Sequence, residues 1–248
     1  MKLNEFLDST YLKTPKQANL TQNQTQQKIE ELIKEAIDNN FKLVMIRPEF
    51  VKLGREMVDL SDSHVLVGTV IGFHEGTLSI AKKLKEAQKV IDNGADELDF
   101  VINYEAFKKG DFITVKEEVY EGTKICLENN KVAKWIIEIA ALTDEQIISI
   151  TSLIRNVVVS NFGHKDAENV FIKSSTGFYP TEEGKPSGAT FEGIQIMKEH
   201  AGPLPIKAAG GVRTLDDAKK MIELGVTRIG TSSALSLVQN IQSDNTSY

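Results

Sequence analysis

At 248 residues, with 41% hydrophobic and 26% charged side chains, the chain is long enough for one sizeable core and has the composition of a soluble globular protein. A net charge of −6, a pI near 5.4 and no Lys/Arg block argue against nucleic acid as a partner, and the single cysteine, Cys126, leaves no internal disulfide framework and no Cys-rich metal site. No signal-like apolar run opens the sequence and no stretch approaches the ~18 apolar residues of a membrane span, so a cytoplasmic location without membrane contact is expected.

Residues 8–13 (D-S-T-Y-L-K) read as a short strand ended by Thr14-Pro15. Residues 20–40 read as a helix, because Ile29, Leu32, Ile33, Ala36 and Ile37 form one apolar stripe. K-L-V-M-I-R at 42–47 is a buried strand stopped by Pro48; a short helix over 51–60 and a strand over 64–72 follow. The helix predicted over 78–93 places Ile80, Leu84, Ala87, Val90 and Ile91 on one face, with Gly94 as its C-terminal cap. Next come a strand over 97–103 (E-L-D-F-V-I-N), a helix over 112–130, a strand over 133–140 (A-K-W-I-I-E-I-A) and a helix from Asp144 to about Val159. The strand 169–175 carries Lys173, the helix 191–200 follows, and the strand 204–209 carries Lys207. A helix over 215–224 lies between Thr214 as N-cap and Gly225 as its stop, followed by a strand over 227–231, a short helix over 232–241 and a polar tail over 242–248.

Eight strands alternating with helices, several of the strands continuously apolar, imply an α/β protein whose sheet is covered on both faces. At this length the pattern predicts a single-domain (β/α)8 TIM barrel over residues 1–248, with no linker marking a second domain. The alternative is an open doubly wound sheet; the absence of G-x-G-x-x-G after an early strand weighs against its dinucleotide-binding version.

Catalytic groups of such a barrel lie at the C-terminal ends of the strands. Lys173, in V-F-I-K-S-S-T-G-F, and Lys207, in P-I-K-A-A-G-G-V, each end an apolar run and are each followed by glycine, one strand–helix–strand unit apart. A lone lysine there is explained by a stem packed along the strand with its ammonium in water. Two of them favour a site in which one desolvated amine, its pKa depressed by the other, attacks a carbonyl. Asp99 is surrounded by Leu98 and Phe100–Ile102 and must find a cation or donors, which the two lysines would supply. Along its strand an inward Asp99 would bring Val101 and Asn103 to the same face. Glu138 is a second buried acid, as well explained by structure as by chemistry. Gly177, Gly210, Gly211, Gly230, Ser232 and Ser233 follow or end late strands, where barrels commonly hold phosphate, and Arg213 lies beside them. Gly184-Lys185-Pro186-Ser187 lacks the spacing of a phosphate loop. Of the four histidines, His64, His164 and His200 read as surface residues and His74 as one able to reach the barrel mouth; none forms a metal-ligand pair, and no metal is expected.

Taken together, these segments resemble the deoxyribose-phosphate aldolases, a family of class I (Schiff-base) aldolases, over nearly the whole chain. G-A-D-E-L-D-F-V-I-N at 94–103 resembles the segment with the family's proton-relay aspartate, F-I-K-S-S-T-G-F at 171–178 its Schiff-base motif, and I-K-A-A-G-G-V-R at 206–213 the segment with its second lysine. T-V-I-G-F at 69–73, I-I-E-I-A-A-L-T-D-E at 136–145 and R-I-G-T-S-S at 228–233 add support. The resemblance implies a (β/α)8 barrel that reversibly cleaves 2-deoxy-D-ribose 5-phosphate to acetaldehyde and D-glyceraldehyde 3-phosphate, without cofactor or metal. It implies Lys173 as nucleophile, Asp99 and Lys207 as proton-transfer groups, and the phosphate on Gly177, Gly210, Gly211, Gly230, Ser232 and Ser233. Members of the family are often homodimers, and some use a terminal tyrosine folded over the site; Tyr248 stands in that place here, with a frayed terminus as the equal alternative.

The sequence departs from the family pattern around the mouth. Ser9 and Met45 stand where histidine and cysteine are frequent, His74-Glu75 replaces Pro-Leu, and the loop over 179–187 is longer. These departures leave the substrate open. A Schiff-base lyase acting on another aldehyde or ketone phosphate and a non-catalytic sugar-phosphate-binding barrel are the alternatives, and the presence of Asp99, Lys173 and Lys207 together weighs against the second.

Overall fold

A computed structural model describes residues 2–239. Its eight parallel strands are β1 (Leu7–Thr10), β2 (Leu43–Ile46), β3 (Leu66–Ile71), β4 (Glu97–Val101), β5 (Val132–Ile136), β6 (Val170–Lys173), β7 (Ile206–Ala209) and β8 (Arg228–Thr231). They pair in sequence order, and β1 also pairs with β8, so the sheet closes into a (β/α)8 TIM barrel. The helices are α1 (Pro15–Ala18), α2 (Gln22–Asp38), α3 (Val51–Leu60), α4 (Ile80–Asp92), α5 (Tyr104–Lys108), α6 (Phe112–Glu128), α7 (Asp144–Ala167), α8 (Phe191–His200), α9 (Leu215–Glu223) and α10 (Ala234–Gln239). None of them is long and apolar enough to cross a membrane.

Local chemistry explains the helix starts. Thr21 with Gln24, Thr143 with Gln146 and Thr214 with Asp217 form reciprocal capping boxes that satisfy the first free N–H groups of α2, α7 and α9. The stripe read in α2 is the face that packs on the barrel: Ile29, Ile33 and Ala36 are buried, with Leu32 and Ile37 at its margin. Between α6 and β5 the fit is close. Trp135 stacks on Phe100 at 4.9 Å and its Nε1 donates to Thr123 Oγ1, while a Cβ on Gly122 would lie 2.6 Å from the Trp135 ring.

Several predicted boundaries move. β5 stops at Ile136 rather than Ala140, because Glu138 takes a left-handed conformation and residues 139–141 form a 3-10 turn. α7 runs to Ala167 rather than Val159, across Gly163, whose φ of 80° breaks the helical path. β4 ends at Val101, so Asn103 does not share the inner face with Asp99; its Oδ1 instead accepts the Ala106 N–H and caps α5. The polar tail over 242–248, with Tyr248, lies outside the described residues.

The barrel interior is divided by chemistry. Leu12, Leu43, Met45 and Val70 form an apolar sector on the β1–β3 side. Elsewhere the inner face carries charge, and the register fixes how those charges meet: Asp99 pairs with Lys134 across β4–β5 and Lys173 with Lys207 across β6–β7.

Candidate active site

Each inward charge arrives by the period-two alternation of a parallel strand. Asp8 comes from β1, Glu97 and Asp99 from β4, Lys134 from β5, Lys173 from β6, Lys207 from β7 and Arg228 from β8, and all seven side chains are buried. Asp99 joins three of the cations. Its Oδ1 accepts from Lys134 Nζ at 2.7 Å, and its Oδ2 accepts from Lys173 Nζ at 2.9 Å and Lys207 Nζ at 2.8 Å. Lys207 also forms an ion pair with Asp8 Oδ2 at 2.6 Å, and Lys134 with Glu97 Oε2 at 2.5 Å. Arg228 closes the network below: it donates to Glu97 at 2.9 and 3.0 Å and to Asp8 Oδ1 at 2.8 and 2.5 Å.

The seven residues comprise three carboxylates and four cations, so full ionisation would leave one positive charge in excess. Lys134, Lys207 and Arg228 each contact two carboxylates, whereas Lys173 contacts only Asp99 among the described residues. Lys173 is therefore the cation with the least carboxylate compensation. Burial is the largest cause of its lowered pKa, Lys207 and Lys134 add to it, Asp99 opposes it, and the amine is brought down to about 8. For Asp99, burial pushes upward, but Lys134, Lys173 and Lys207 outweigh it and hold the carboxyl well below its usual range. Lys134 goes the other way from Lys173: burial lowers it, and Asp99, Glu97 and Asp8 more than compensate, so it stays an ammonium.

The glycines form a second feature beside the amines. Gly177, Gly210 and Gly211 all have positive φ, at 83°, 75° and 80°. Two loops touch there backbone to backbone. A Cβ on Gly188 would lie 2.4 Å from the Gly210 carbonyl carbon, and a Cβ on Gly210 would lie 3.0 Å from Gly188 Cα and 3.5 Å from Gly177 Cα. Gly230 lies inside β8, where an added Cβ would come within 3.1 Å of Lys207 Cε; it makes room for the lysine stem rather than shaping a loop. Ser232 and Ser233 follow β8, and the Ser233 N–H is engaged by Thr231 Oγ1 at 3.1 Å.

Around the mouth, His74 stacks on Phe178 at 5.6 Å and Phe73 meets the same ring edge-on at 5.1 Å, which bridges the loops after β3 and β6. Phe73, His74 and Glu75 line a cavity of about 520 Å3 with Thr14, Lys16, Gln17 and Arg47. Met45 is buried in the apolar sector and Ser9 is buried in β1. His64 and His164 are exposed and the His200 ring bonds its own helix at Ile196.

The structure thus brings Lys173 and Lys207 into hydrogen bonds with the same oxygen of Asp99. Sequence reasoning missed Asp8, Glu97, Lys134 and Arg228. Glu97 stands two residues before Asp99 on the same face, and Lys134 is a charge within a buried strand, so the alternation rule applied to every strand would have found both. No group of three His, Cys, Asp or Glu that could hold a metal occurs among the described residues.

A model of the DeoC/LacD family of aldolases matches residues 8–239. The deoxyribose-phosphate aldolase of Staphylococcus haemolyticus (strain JCSC1435) is 39% identical over 246 residues, 99% of both chains. That of Thermococcus gammatolerans is 38% identical over 240 residues, 96% of each. Among solved structures, the tetrameric deoxyribose phosphate aldolase from Aeropyrum pernix superimposes with a TM-score of 0.76 at 27% identity, covering 96% of this chain and 89% of that one.

Proposed function

The chain belongs to the DeoC/LacD family of aldolases, carbon–carbon lyases, and from that premise we propose that it reversibly cleaves 2-deoxy-D-ribose 5-phosphate to acetaldehyde and D-glyceraldehyde 3-phosphate through a Schiff base on Lys173. The observation that carries the proposal is the buried Lys173 amine, held 2.9 Å from Asp99 and paired in register with Lys207, with its pKa brought down to about 8. An amine of that kind is substantially neutral near pH 8 and nucleophilic.

The neutral Lys173 amine attacks C1 of the open-chain aldehyde, and loss of water leaves an iminium. A base takes the proton from the C3 hydroxyl, the C2–C3 bond breaks, and its electron pair moves into the iminium to give an enamine and the aldehyde phosphate. Protonation of the enamine at C2 and hydrolysis then release acetaldehyde and restore the amine. Asp99 and Lys207 move these protons, directly or through water, a role supported by the hydrogen bonds Asp99 accepts from both lysines. Gly177, Gly210 and Gly211, with Gly230, Ser232 and Ser233, take the phosphate: the Gly177 and Gly210 loops touch backbone to backbone, and positive-φ glycines let an anion approach the backbone without a Cβ in the way. The residues of this scheme supply a nucleophile, proton carriers and anion donors.

The His74–Glu75 cavity at the mouth favours a second proposal, a lyase of the same chemistry with another aldehyde or ketone phosphate as its better substrate. Assembly as a homodimer is also proposed, against the tetramer of the Aeropyrum pernix relative, and size-exclusion chromatography with light scattering distinguishes them.

Borohydride reduction in the presence of deoxyribose 5-phosphate, followed by peptide mass spectrometry, tests the mechanism. The expected result is a reduced adduct on Lys173, absent in Lys173→Ala. An adduct on Lys207 would exchange the two roles. No adduct with this sugar, but one with another aldehyde or ketone phosphate, would support the second proposal; no adduct with any of them would overturn the Schiff base.

A further inference from the structure

Glu138 has no part in the scheme above, yet its geometry is costly. Its backbone is left-handed, at φ 58° and ψ 68°, which a side chain other than glycine adopts only where its surroundings over-determine it. The turn it makes is pinned along the nucleophile's own strand. The Ile137 N–H donates to the Lys173 carbonyl at 3.0 Å and the Ile139 N–H to the Ser174 carbonyl at 2.9 Å.

The Glu138 side chain is 1% exposed, and its bonds reach the loop after β6. Oε2 accepts both the Thr176 N–H, at 3.1 Å, and the Thr176 hydroxyl. Thr176 Oγ1 in turn accepts the Phe178 N–H at 3.0 Å. Gly177 lies between those two residues and meets Gly210 across the cradle. Oε1 is buried without a hydrogen-bond partner among the described residues. A strained backbone and a half-satisfied buried carboxyl persist together at the point where two active-site loops meet.

We infer that Glu138 is a positioning residue: its carboxylate fixes the Thr176–Phe178 turn, and through it sets Gly177 of the phosphate cradle and the exit of the Lys173 strand. The geometry stands by itself, while the kinetic consequence rests on the aldolase function proposed above.

The hold on the turn depends on protonation. Hydrogen bonds to an ionised acceptor are about twice as strong as those between neutral groups. Burial, the largest cause, pushes the Glu138 carboxyl up to about 7, against the Thr176 bonds and the charge of Lys173. The groups facing it are Lys173 on β6 and Tyr104 on α5; burial, with Glu138, Glu105, Tyr179 and Glu75 adding, holds the Tyr104 phenol up at about 12, so it stays neutral here. Rising pH therefore ionises Glu138 and tightens the turn just below the range in which Lys173 becomes a free amine.

The test compares the pH dependence of kcat/KM for deoxyribose 5-phosphate in the wild type and in Glu138→Gln, which keeps an acceptor for Thr176 and cannot ionise. Between about pH 6 and 8 the wild-type acid limb should be visibly steeper than that of the variant, whose slope stays at one or below. Near pH 8 the variant should lose about tenfold in kcat/KM, mostly through KM, as befits the loss of a charge-assisted bond. Below pH 6 the two should converge. A purely packing role would leave their profiles superimposed, and that result overturns the inference.

Amide exchange over the peptide spanning 174–178, at one fixed pH above 7, provides a readout that needs no substrate. The Thr176 N–H should exchange about tenfold faster in Glu138→Gln, and equal exchange would likewise overturn the inference. If the wild type fails to turn over or trap the sugar while exchange still responds to Glu138→Gln, the substrate assignment fails and the positioning role stands.

Discussion

Asp99 accepts from three buried amines at once, so its removal has two separable consequences. As a proton carrier its loss should lower turnover by about 10²–10⁴-fold. As the shared anion of Lys134, Lys173 and Lys207, its loss should cost about 3–5 kcal/mol of stability, because three cations are left with fewer partners. Asp99 also raises the Lys173 pKa against burial, so Asp99→Asn should let borohydride trapping on Lys173 proceed at lower pH than in the wild type. Turnover, the pH profile of trapping and the free energy of denaturant unfolding, measured on one preparation, check these outcomes, and undiminished turnover would remove Asp99 from the mechanism. Asp99, Lys173 and Lys207 were legible in the sequence because each interrupts or ends an apolar run. Asp8, Glu97 and Arg228 are also buried, but they stand at the first or second position of their strands, with no apolar run before them. There a charge in sequence reads as a solvated end, and only closure of the barrel places it inside.

At the scale of the elements, the strand–helix alternation was legible throughout, because buried parallel strands and amphipathic helices have different periods. Where a boundary moved, a single residue's backbone conformation moved it: left-handed Glu138 ended β5 early, and no local propensity marks a glutamate for that region. The cradle shows the same limit. Gly177, Gly210 and Gly211 were visible as glycines after strands, whereas Gly188 was passed over, because its role comes from a contact with Gly210 formed only when the loop folds back. With its added Cβ 2.4 Å from the Gly210 carbonyl carbon, Gly188→Ala must push two backbones apart. The expected loss of stability is about 1–3 kcal/mol. The kinetic effect should be selective: KM for deoxyribose 5-phosphate rises, while any turnover of unphosphorylated deoxyribose, measured in parallel, is unchanged. Parallel loss with both sugars would place Gly188 outside the phosphate cradle.

For the whole molecule, the interior charges link strands that are distant in sequence. Arg228 on β8 binds Asp8 on β1 and Glu97 on β4, and so fastens the seam where the barrel closes. Burial pushes both carboxyls upward, but Arg228, with Lys207 for Asp8 and Lys134 for Glu97, brings each below its ordinary value. A carboxyl whose folded pKa is depressed binds fewer protons folded than unfolded between the two values. Its stabilisation is thus complete above about pH 4–4.5, the unfolded range, and is lost as pH falls through the folded value. Lys173 acts at the other end: its amine, at about 8 folded, regains stability for the fold as pH rises from there toward the ordinary lysine value of about 10.4. Arg228→Met removes the cation common to Asp8 and Glu97 and leaves its two carboxylates with less compensation, at a cost of about 3–5 kcal/mol. At about 2–4 °C per kcal/mol for a chain of this size, Tm at pH 7 should fall by roughly 6–20 °C. The acid transition should also move to higher pH, because Asp8 and Glu97 lose the charge that held them ionised. Calorimetry of the wild type and Arg228→Met between pH 3 and 8 measures both. A variant with a lower Tm and an unmoved acid transition would mean that Arg228 acts by packing alone and that the acid stability of the barrel resides elsewhere.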